Sequence, residues 1–430
     1  MQTLNHKDHT DSSSRFFSDS LILILFAAVI TYITYSLVIT LAGQDLSDYN
    51  GHIYIYLTTF TGENALKGYM MSPYFLWHII VLFFNKMLFL PLDVSAAVCT
   101  VIFTLASFFL TVFMTGKFCR YKGISASMPL ISFTSFILTM AQPIWSRLFD
   151  AGISRNVGAF SPNPIYNPTQ VAARPFALLC FMLITDWWRL SERDDSSVFF
   201  GSKKKQTGIL LSVMLFISAF AKPVFAMMFI PSVGLVMIAR LIGRAVKKND
   251  APAYFKNNIL MALLIALPCI AFILFQTLLF FALGGSYTSN DGIVITGWLE
   301  VWGAFTENVP LSLFFSMSFP LFILVTDFRN YIKEDFGSLG ITCFAVGFLE
   351  CALIGEGGNK LYHGNFMWQM MFGMLILWIC TLLHFFEIGR RPTTKLSRII
   401  IVIGWILLLI HLHQGFMYIS EVLGWGITGI

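Results

Sequence analysis

The sequence predicts an all-α, polytopic integral membrane protein, a helix bundle of about eleven transmembrane helices. Of its 430 residues, 57% are apolar and only 12% are charged, whereas a soluble domain carries about 25% charged residues. Long apolar runs also recur along the whole chain, separated by short polar or basic segments. A fold with so little charge cannot cover its surface in water, so lipid is expected to surround most of it.

The individual spans follow from the length of the apolar runs, because roughly 20 mostly apolar residues cross a bilayer as a helix. The expected spans are 20–41, 94–115, 126–144, 171–188, 207–221, 223–239, 258–283, 309–326, 336–354, 366–386 and 399–419. The stretch 73–91 is ambiguous, since it has nearly spanning length but contains His78, Asn85 and Lys86.

The distribution of Lys and Arg decides this ambiguity, because cytoplasmic loops are enriched in both. If 73–91 does not span, the N-terminal Lys7 and Arg15 lie on the same side as the basic clusters at 117–122, 189–205, 240–256, 329–333 and 390–398. If it does span, every later cluster faces away from the N-terminus. We therefore expect an interfacial helix at 73–91, a cytoplasmic N-terminus and a C-terminus outside.

This topology predicts a cytoplasmic tail at 1–19 and a single transmembrane domain at 20–430, with no separate soluble domain. The first outer loop, 42–93, is expected to carry amphipathic juxtamembrane helices, one over 52–66 and one over 73–91. The apolar run from Leu21 is longer than the core of a signal peptide, so it is expected to remain as a span. The expected location is a bacterial inner (cell) membrane.

Several functions lack the motifs that they require. The chain has no phosphate-binding GxxxxGK[ST] loop, no GxGxxG, no HExxH and no GxSxG, which leaves ATP-driven transport, nicotinamide chemistry, zinc proteolysis and serine hydrolysis unsupported. The seven cysteines include no CxxC pair, so no metal site is predicted from them. The basic residues stand in short clusters between apolar runs, a pattern that does not favour nucleic acid as a partner.

Acidic residues begin the first outer loop, directly after the first span. Asp45 and Asp48 are three residues apart and His52 follows four further on. On a helix these spacings place all three on one face. Paired carboxylates at a membrane surface can act as a general base, bind a divalent cation, or form an ordinary solvated loop.

The second outer loop, 145–170, contains candidate cations. Arg147 and Arg155 flank Asp150, and Arg174 stands just inside the fourth span. An intramembrane arginine is costly, and its guanidinium suits bidentate capture of phosphate. Prolines and asparagines over 162–168 predict a fixed irregular loop. A purely structural Arg–Asp pair in the loop is the alternative.

Lys222 is a further cation, in the tight turn Ala221-Lys222-Pro223 between two spans. Its ammonium can snorkel to the outer headgroups, which is the commoner behaviour of lysine at such a position. If Lys222 points into the bundle near Arg174, the two residues form a phosphate-binding pair.

The outer segment GEGGNKLYHGNFMW holds the last candidates, Glu356, Lys360 and His363, in a glycine-rich turn. Glycines allow the backbone to approach a ligand closely. With Asn365 and Trp368, His363 would form a sugar-binding edge, because an aromatic face stacks on the apolar face of a pyranose. A plain turn is the alternative.

This arrangement resembles that of the GT-C type membrane glycosyltransferases. In that superfamily a long outer loop follows the first span and carries an acidic residue and then juxtamembrane helices. The resemblance implies a polyprenyl-phosphate sugar donor, a base at Asp45 or Asp48, and donor phosphate binding by Arg174, Lys222 and Arg147. The chain departs from the well-known subfamilies because it has neither a soluble outer domain nor an adjacent pair of acidic residues.

The predicted function is therefore transfer of a sugar from a lipid-phosphate donor to a glycan or lipid acceptor on the non-cytoplasmic face. His52, Arg155, Glu356, Lys360, His363 and Trp368 are the expected substrate-binding residues. A divalent cation is possible and no other cofactor is implied. Two other functions remain open: a polymerase or ligase for lipid-linked polysaccharides, and a transporter or lipid flippase. A transporter should place ionisable residues at mid-membrane.

Overall fold

The computed structural model of the chain describes residues 7–57, 74–144, 158–192, 197–248, 250–282, 292–390 and 394–425. In chain order its helices are α1 Lys7–Ala42, α2 Asp48–Asn50, α3 Leu76–Met87, α4 Leu92–Lys122, α5 Met128–Met140, α6 Pro168–Glu192, α7 Lys204–Ala221, α8 Val224–Val246, α9 Ala251–Tyr254, α10 Leu260–Ala282, α11 Glu300–Gly303, α12 Val309–Tyr331, α13 Gly337–Leu353, α14 Met367–Arg390 and α15 Lys395–Val422. Two π-helical segments, Gly51–Tyr56 and Phe255–Ile259, continue α2 and join α9 to α10.

Among the described residues, nine helices are long and apolar enough to cross a membrane. The architecture is thus the all-α bundle that the sequence predicts, and its long apolar helices indicate a multi-pass membrane protein. Three further apolar helices, α3, α5 and α13, are shorter. With 12, 13 and 17 residues, all three have fewer than the roughly 20 residues of a regular span.

Basic and acidic side chains from different connections meet at one end of the bundle. Lys122, the last residue of α4, lies 2.6 Å from Glu334, which stands between α12 and α13. Arg189 of α6 pairs with the neighbouring Asp335, and Arg240 of α8 lies 2.8 Å from Glu192. We call this cluster of ion pairs the basic end.

Helix α6 leads from the basic end to the opposite end of the bundle. Its 25 residues extend about 37 Å from Glu192 to Pro168. There the residue before α6, Asn167, contacts side chains from two other connections, Asp48 and Lys222. We call this the site end. The candidate residues of the first outer loop and of the α7–α8 turn therefore share one end of the molecule.

Close contact between α13 and α14 depends on glycines at their interface. A Cβ added at Gly373 would lie 2.6 Å from the carbonyl oxygen of Cys343, and one added at Gly347 would lie 2.9 Å from that of Gln369. Small residues let two helix backbones approach this closely, which maximises van der Waals contact where lipid removes the hydrophobic driving force. This packing fixes the start of α14, which contributes to the candidate site.

One element was not predicted. Strands β1, Ile293–Ile295, and β2, Ile354–Glu356, form an antiparallel pair in which Ile293 lies opposite Glu356. A 3₁₀ helix, Gly358–His363, follows β2. The sequence had indicated a glycine-rich turn here, and the structure adds a strand and a 3₁₀ helix to it. The sheet fixes Glu356 against the segment that precedes α11.

Candidate functional site

Local hydrogen bonds explain why Asp48 begins a helix directly after the first span. Ser47 caps α2 by accepting the backbone N–H of Asn50 at 3.0 Å, as serine commonly does at this position. The side chain of Asn50 in turn donates to the carbonyl of Ala42 at 2.9 Å. Because α2 begins at Asp48, Asp45 lies in the preceding turn. The expectation that Asp45, Asp48 and His52 share one helix face was wrong for Asp45.

The irregular segment 158–167 holds the residue that Asp48 contacts. Its fold follows the sequence Asn167-Pro168: the Asn167 Oδ1 atom accepts the backbone N–H of Gln170 at 2.9 Å, and proline is well suited to the first position of a helix. Pro168 therefore begins α6. The sequence had indicated instead that Pro168 belongs to the irregular loop. The phenol of Tyr49 donates to the carbonyl of Ile165 at 3.1 Å, which holds α2 against this segment.

The centre of the site is a hydrogen-bonded chain through Asn167, which connects a carboxylate to an ammonium group. The Asn167 Nδ2 atom donates to Asp48 Oδ2 at 2.7 Å, and Lys222 Nζ donates to Asn167 Oδ1 at 3.1 Å. We call Asp48, Asn167 and Lys222 the relay. Three separate connections of the bundle supply its members, so their meeting depends on the tertiary fold.

The surroundings of the relay shift the pKa values of both charged groups. Lys222 is only 5% exposed, and burial lowers the pKa of its ammonium to about 7, although the charge of Asp48 opposes this effect. Loss of hydration raises the pKa of Asp48, opposed by the Asn167 hydrogen bond and the charge of Lys222. Asp48 nevertheless remains accessible at the molecular surface.

Lys222 also lines a cleft of about 120 Å³ between α8, α10 and the start of α14. Its ammonium lies 4.3 Å from the ring centre of Trp368 and 5.9 Å from that of Tyr74, and cation–π attraction favours both positions. Lys222 occupies this place because α7 ends at Ala221 and Pro223 directly precedes α8. The predicted turn is present, and its lysine is directed into the protein and not toward the headgroups.

Glu356 faces the same cleft from strand β2. It is 8% exposed, and its carboxylate accepts the side-chain N–H of Asn365 at 2.8 Å. Among the residues proposed for the glycine-rich segment, Glu356, Asn365 and Trp368 line the cleft, whereas Lys360 and His363 do not. Only part of the predicted sugar-binding edge therefore lies at the cleft. His363 lies exposed on the 3₁₀ helix.

His52 is buried next to the relay and does not face the cleft. Its Nδ1 atom lies 3.0 Å from Nε2 of His78 in α3, and both rings pack against Trp77. Burial lowers the pKa of both histidines, that of His78 to about 3. The pair is therefore neutral at pH 7, and it joins the π-helical segment that continues α2 to α3.

Arg174 holds the loop that precedes α6. It is 3% exposed, donates to the Asn163 side chain, and donates to the carbonyl of Leu138 at 3.1 Å. Arg174 and Lys222 thus hold asparagines of the same segment, Asn163 and Asn167, and do not form the expected phosphate-binding pair. Arg174 does not line the cleft, because its guanidinium is directed toward α5.

Three of the predicted residues, Arg147, Asp150 and Arg155, lie outside the described residues. Within the described part of the chain, no group of three or more His, Cys, Asp or Glu side chains is arranged to hold a metal ion. The seven cysteines are all buried and unbridged. The acids, amides and cation of the site are thus the groups from which its chemistry must be inferred.

Reasoning from the sequence missed Asn167, Tyr74 and His78 as parts of the site. Asn167 could have been found from the sequence, because asparagine followed by proline is a common start of a helix. An asparagine in this position places its side chain at the helix end. Nothing in the local sequence indicates that Tyr74 approaches Lys222. That contact exists only because the segment before α3 lies beside the α7–α8 turn.

The fold and the site together define a multi-pass helical membrane protein with a polar, partly aromatic cleft at the site end of the bundle. Comparison of the sequence with models of known protein families found no match. Comparison with curated proteins found no similar sequence either. The function must therefore be inferred from the geometry of the relay and the cleft.

Proposed function

We propose that the protein is a membrane glycosyltransferase that moves a sugar from a polyprenyl-phosphate donor to a glycan or lipid acceptor on the non-cytoplasmic face. The relay is the observation that carries this proposal, because it links an accessible carboxylate, Asp48, through Asn167 to a buried cation, Lys222. Of these residues, Lys222 lines the cleft bordered by membrane helices. A lipid-phosphate donor requires such a cation near the membrane surface, and a hydroxyl acceptor requires such a base.

The topology that we propose has eleven spans, the nine long helices together with α5 and α13. Lys122 precedes α5 at the basic end, whereas Gln142, which follows α5, donates to the Asn163 carbonyl of the site end at 2.9 Å. Similarly, Glu334 before α13 lies at the basic end and Glu356 after it lines the cleft. With the basic end in the cytoplasm, the site end and the C-terminus lie outside.

In the proposed reaction, Asp48 takes the proton from the acceptor hydroxyl as that oxygen attacks the anomeric carbon of the donor sugar. The bond between the anomeric carbon and the phosphate oxygen breaks, and the phosphate leaves with the bonding electron pair. The ammonium of Lys222 stabilises the negative charge that develops on the phosphate. General-base catalysis of this kind contributes roughly 10²- to 10⁴-fold.

The relay favours Asp48 over Asp45 as the base. Asp48 is held by Asn167 and therefore has a fixed orientation toward the α6 end, whereas Asp45 lies in an exposed turn. The raised pKa of Asp48 also makes its carboxylate a better proton acceptor than a solvated one. Asp45 is assigned no catalytic role.

The cleft walls suit a sugar phosphate. Trp368 presents an aromatic ring beside the cation, while Glu356 and Asn365 supply acceptors and donors for hydroxyl groups. The other wall is formed by α8 and α10, which contribute the apolar Val224, Met227 and Ile273 and the polar Gln276 and Thr277. Apolar side chains beside hydrogen-bonding ones fit a ligand whose headgroup is hydrophilic and whose chain lies in lipid.

The test is the composition of surface and lipid-linked glycans in cells that lack the protein and are complemented with variants. We expect one sugar to disappear on deletion, to return with the wild type and with Asp45→Asn, and to remain absent with Asp48→Asn or Lys222→Ala. Western blotting of the membrane fraction provides the control that each variant is inserted at the wild-type level.

Other outcomes would identify other functions. Loss of glycan length without loss of any one sugar would indicate a polymerase or ligase that uses the same base and cation. Unchanged glycans on deletion, or full restoration by a stably inserted Asp48→Asn protein, would contradict the transferase proposal and favour a transporter.

A further inference from the structure

The end of α5 supplies backbone acceptors for the segment that carries Asn167. Helix α5 ends at Met140, just before Gln142-Pro143, because the residue before a proline avoids helical backbone angles. The last carbonyl groups of a helix have no partner within it. At this end, donors come from the segment 158–167 and from α6: Arg174 Nη2 donates to Leu138, Asn163 Nδ2 to Thr139 and Ser161 Oγ to Ala141. The place of the segment therefore depends on the place of the end of α5.

A buried histidine of α15, His411, holds the chain directly after α5. Its Nδ1 atom lies 2.8 Å from the carbonyl oxygen of Gln142, and the backbone N–H of Gln142 donates to the carbonyl of His411 at 3.2 Å. Because a carbonyl oxygen can only accept, Nδ1 carries the proton, and in a neutral imidazole Nε2 is then an acceptor. The hydroxyl of Ser318 lies 2.7 Å from Nε2 and donates to it. Both ring nitrogens therefore have a partner.

Helices α12 and α14 fix the orientation of the imidazole ring. Pro320 lacks an N–H, so the carbonyl of Ser316 has no partner four residues further along α12. The indole N–H of Trp378 in α14 donates to this carbonyl at 3.3 Å. The same indole lies edge-on to the ring of His411, with ring centres 4.7 Å apart. Packing and hydrogen bonds together leave His411 one position.

One turn beyond His411, Gly415 lets the end of α5 approach α15 closely. A Cβ added at Gly415 would clash with the carbonyl oxygen of Met140. Residues four apart on a helix lie on the same face, so His411 and Gly415 contact the end of α5 together. We call these two residues the seat.

Gln142 connects the seat to the relay. Its side-chain Nε2 atom donates to the carbonyl of Asn163 at 2.9 Å. Asn163 stands four residues before Asn167, whose backbone N–H donates to the carbonyl of Pro164 at 3.1 Å. This compact turn transmits the position of Asn163 to Asn167, whose side chain contacts Asp48.

We propose that His411 is a positioning residue for the relay. It holds Gln142, Gln142 holds the segment 158–167, and the last residue of that segment, Asn167, orients the carboxylate of Asp48. His411 does not line the cleft, so its effect on transfer is indirect. The inference rests on the proposed function for the role of the relay in catalysis, whereas the hold on the segment can be measured without any substrate.

Asparagine and leucine at position 411 form a matched pair, because they have nearly the same shape and differ in hydrogen bonding. In His411→Asn the side-chain N–H takes the place of Nδ1–H and still donates to Gln142, although Ser318 loses its acceptor. In His411→Leu both side-chain hydrogen bonds are lost. Gln142→Met tests the next contact, since it removes the donor to Asn163 and keeps the backbone hydrogen bonds to His411.

The first measurement is hydrogen–deuterium exchange of the purified full-length protein in detergent, read by mass spectrometry of peptides that cover 158–170. We expect exchange there to become about tenfold faster in His411→Leu and in Gln142→Met, because each loses a buried hydrogen bond. Exchange in His411→Asn should equal that of the wild type. A peptide from α13 is the internal control and should not change in any variant.

The second measurement is the initial rate of sugar transfer in membranes that contain equal amounts of each protein. We expect a rate about tenfold lower in His411→Leu, because a displaced Asn167 no longer orients Asp48, and a rate close to wild type in His411→Asn. A purely apolar packing role for His411 would instead make leucine at least as good as asparagine.

Wild-type exchange over 158–170 in both His411→Leu and Gln142→Met would overturn the proposal. So would faster exchange there with an unchanged transfer rate, or an equal rise in the α13 peptide, which would show general loosening of the fold. A transfer rate that does not depend on Asp48 would contradict the proposed function, while the exchange data would still decide whether His411 holds the segment.

Discussion

Asp45 and Asp48 are only three residues apart, yet the structure gives them different surroundings. Asp48 is held by Asn167, and through it is connected to Lys222, whereas Asp45 lies in an exposed turn. We expect Asp48→Asn to lower the transfer rate by roughly 10²- to 10⁴-fold, because the base is removed. Asp45→Asn should retain a rate within about twofold of wild type. Initial-rate measurements in membranes would distinguish them, and equal losses in both variants would contradict the assignment.

The pKa of Lys222 leads to a prediction about pH. Its ammonium must be protonated to attract phosphate, and in the free protein burial lowers its pKa to about 7. The ratio kcat/KM should therefore fall as pH rises through about 7, since it reports the free enzyme. In Lys222→Arg the guanidinium stays charged, so the fall should move to higher pH. Identical alkaline limits in the two proteins would show that Lys222 does not control this step.

On the acid side, the raised pKa of Asp48 sets the limit. A general base must be ionised, so activity should decrease as pH falls through that pKa. The two limits together predict a bell-shaped dependence of kcat/KM on pH.

At this scale the sequence indicated the residue types but not their partners. It identified Asp48, Lys222, Glu356 and Trp368 as candidates, and these residues do lie at the site end. It could not reveal Asn167 as their link, because Asp48 and Asn167 are 119 positions apart. The sequence also predicted that Arg174 binds the donor phosphate together with Lys222. In the structure Arg174 lies beside the Asn163 loop because it packs against α5.

At the scale of elements, α13 and α14 depend on glycines for their close approach. A Cβ at Gly373 would lie 2.6 Å from the Cys343 carbonyl oxygen, so Gly373→Ala must push the helices apart. Overpacking of this kind typically costs about 1–3 kcal/mol. We expect a lower thermal midpoint for the purified protein in detergent, with Gly243→Ala, where the added Cβ meets no atom, as the unaffected control. Equal midpoints would contradict the tight interface.

The elements were predictable to different degrees for physical reasons. Long apolar runs identify helices in a membrane because hydrocarbon leaves the backbone no other hydrogen-bonding partners. The pair β1–β2 was missed, since each strand has only three residues and the paired residues are far apart in the sequence, as Ile293 and Glu356 show. Such a pair leaves no local periodic pattern in the sequence from which it could be predicted.

The whole molecule has two chemically different ends, and this asymmetry predicts its orientation. The seven native cysteines are buried, so single introduced cysteines can report accessibility. Leu46→Cys at the site end should react with a membrane-impermeant thiol reagent in intact cells, because Leu46 is fully exposed. Lys247→Cys at the basic end should react only after permeabilisation. The reverse pattern would place the site in the cytoplasm and contradict the proposed topology.

The orientation stays a prediction from the sequence, and it depends on a sum over many Lys and Arg residues and not on one contact. The structure adds that these residues from α4, α6 and α8 meet acidic partners at one end. The position of the cleft could not be derived in this way, because it depends on how α10 packs relative to α8.

The proposed transferase must consume a lipid-phosphate sugar, so the most direct test is the pool of such lipids in living cells. Mass spectrometry of lipid extracts should show that one polyprenyl-phosphate sugar accumulates in cells that carry Asp48→Asn, compared with cells that carry the wild type or Asp45→Asn. If the lipid-linked sugars are the same in all three strains while the proteins are equally abundant in the membrane, the protein does not consume such a donor and the central claim is wrong.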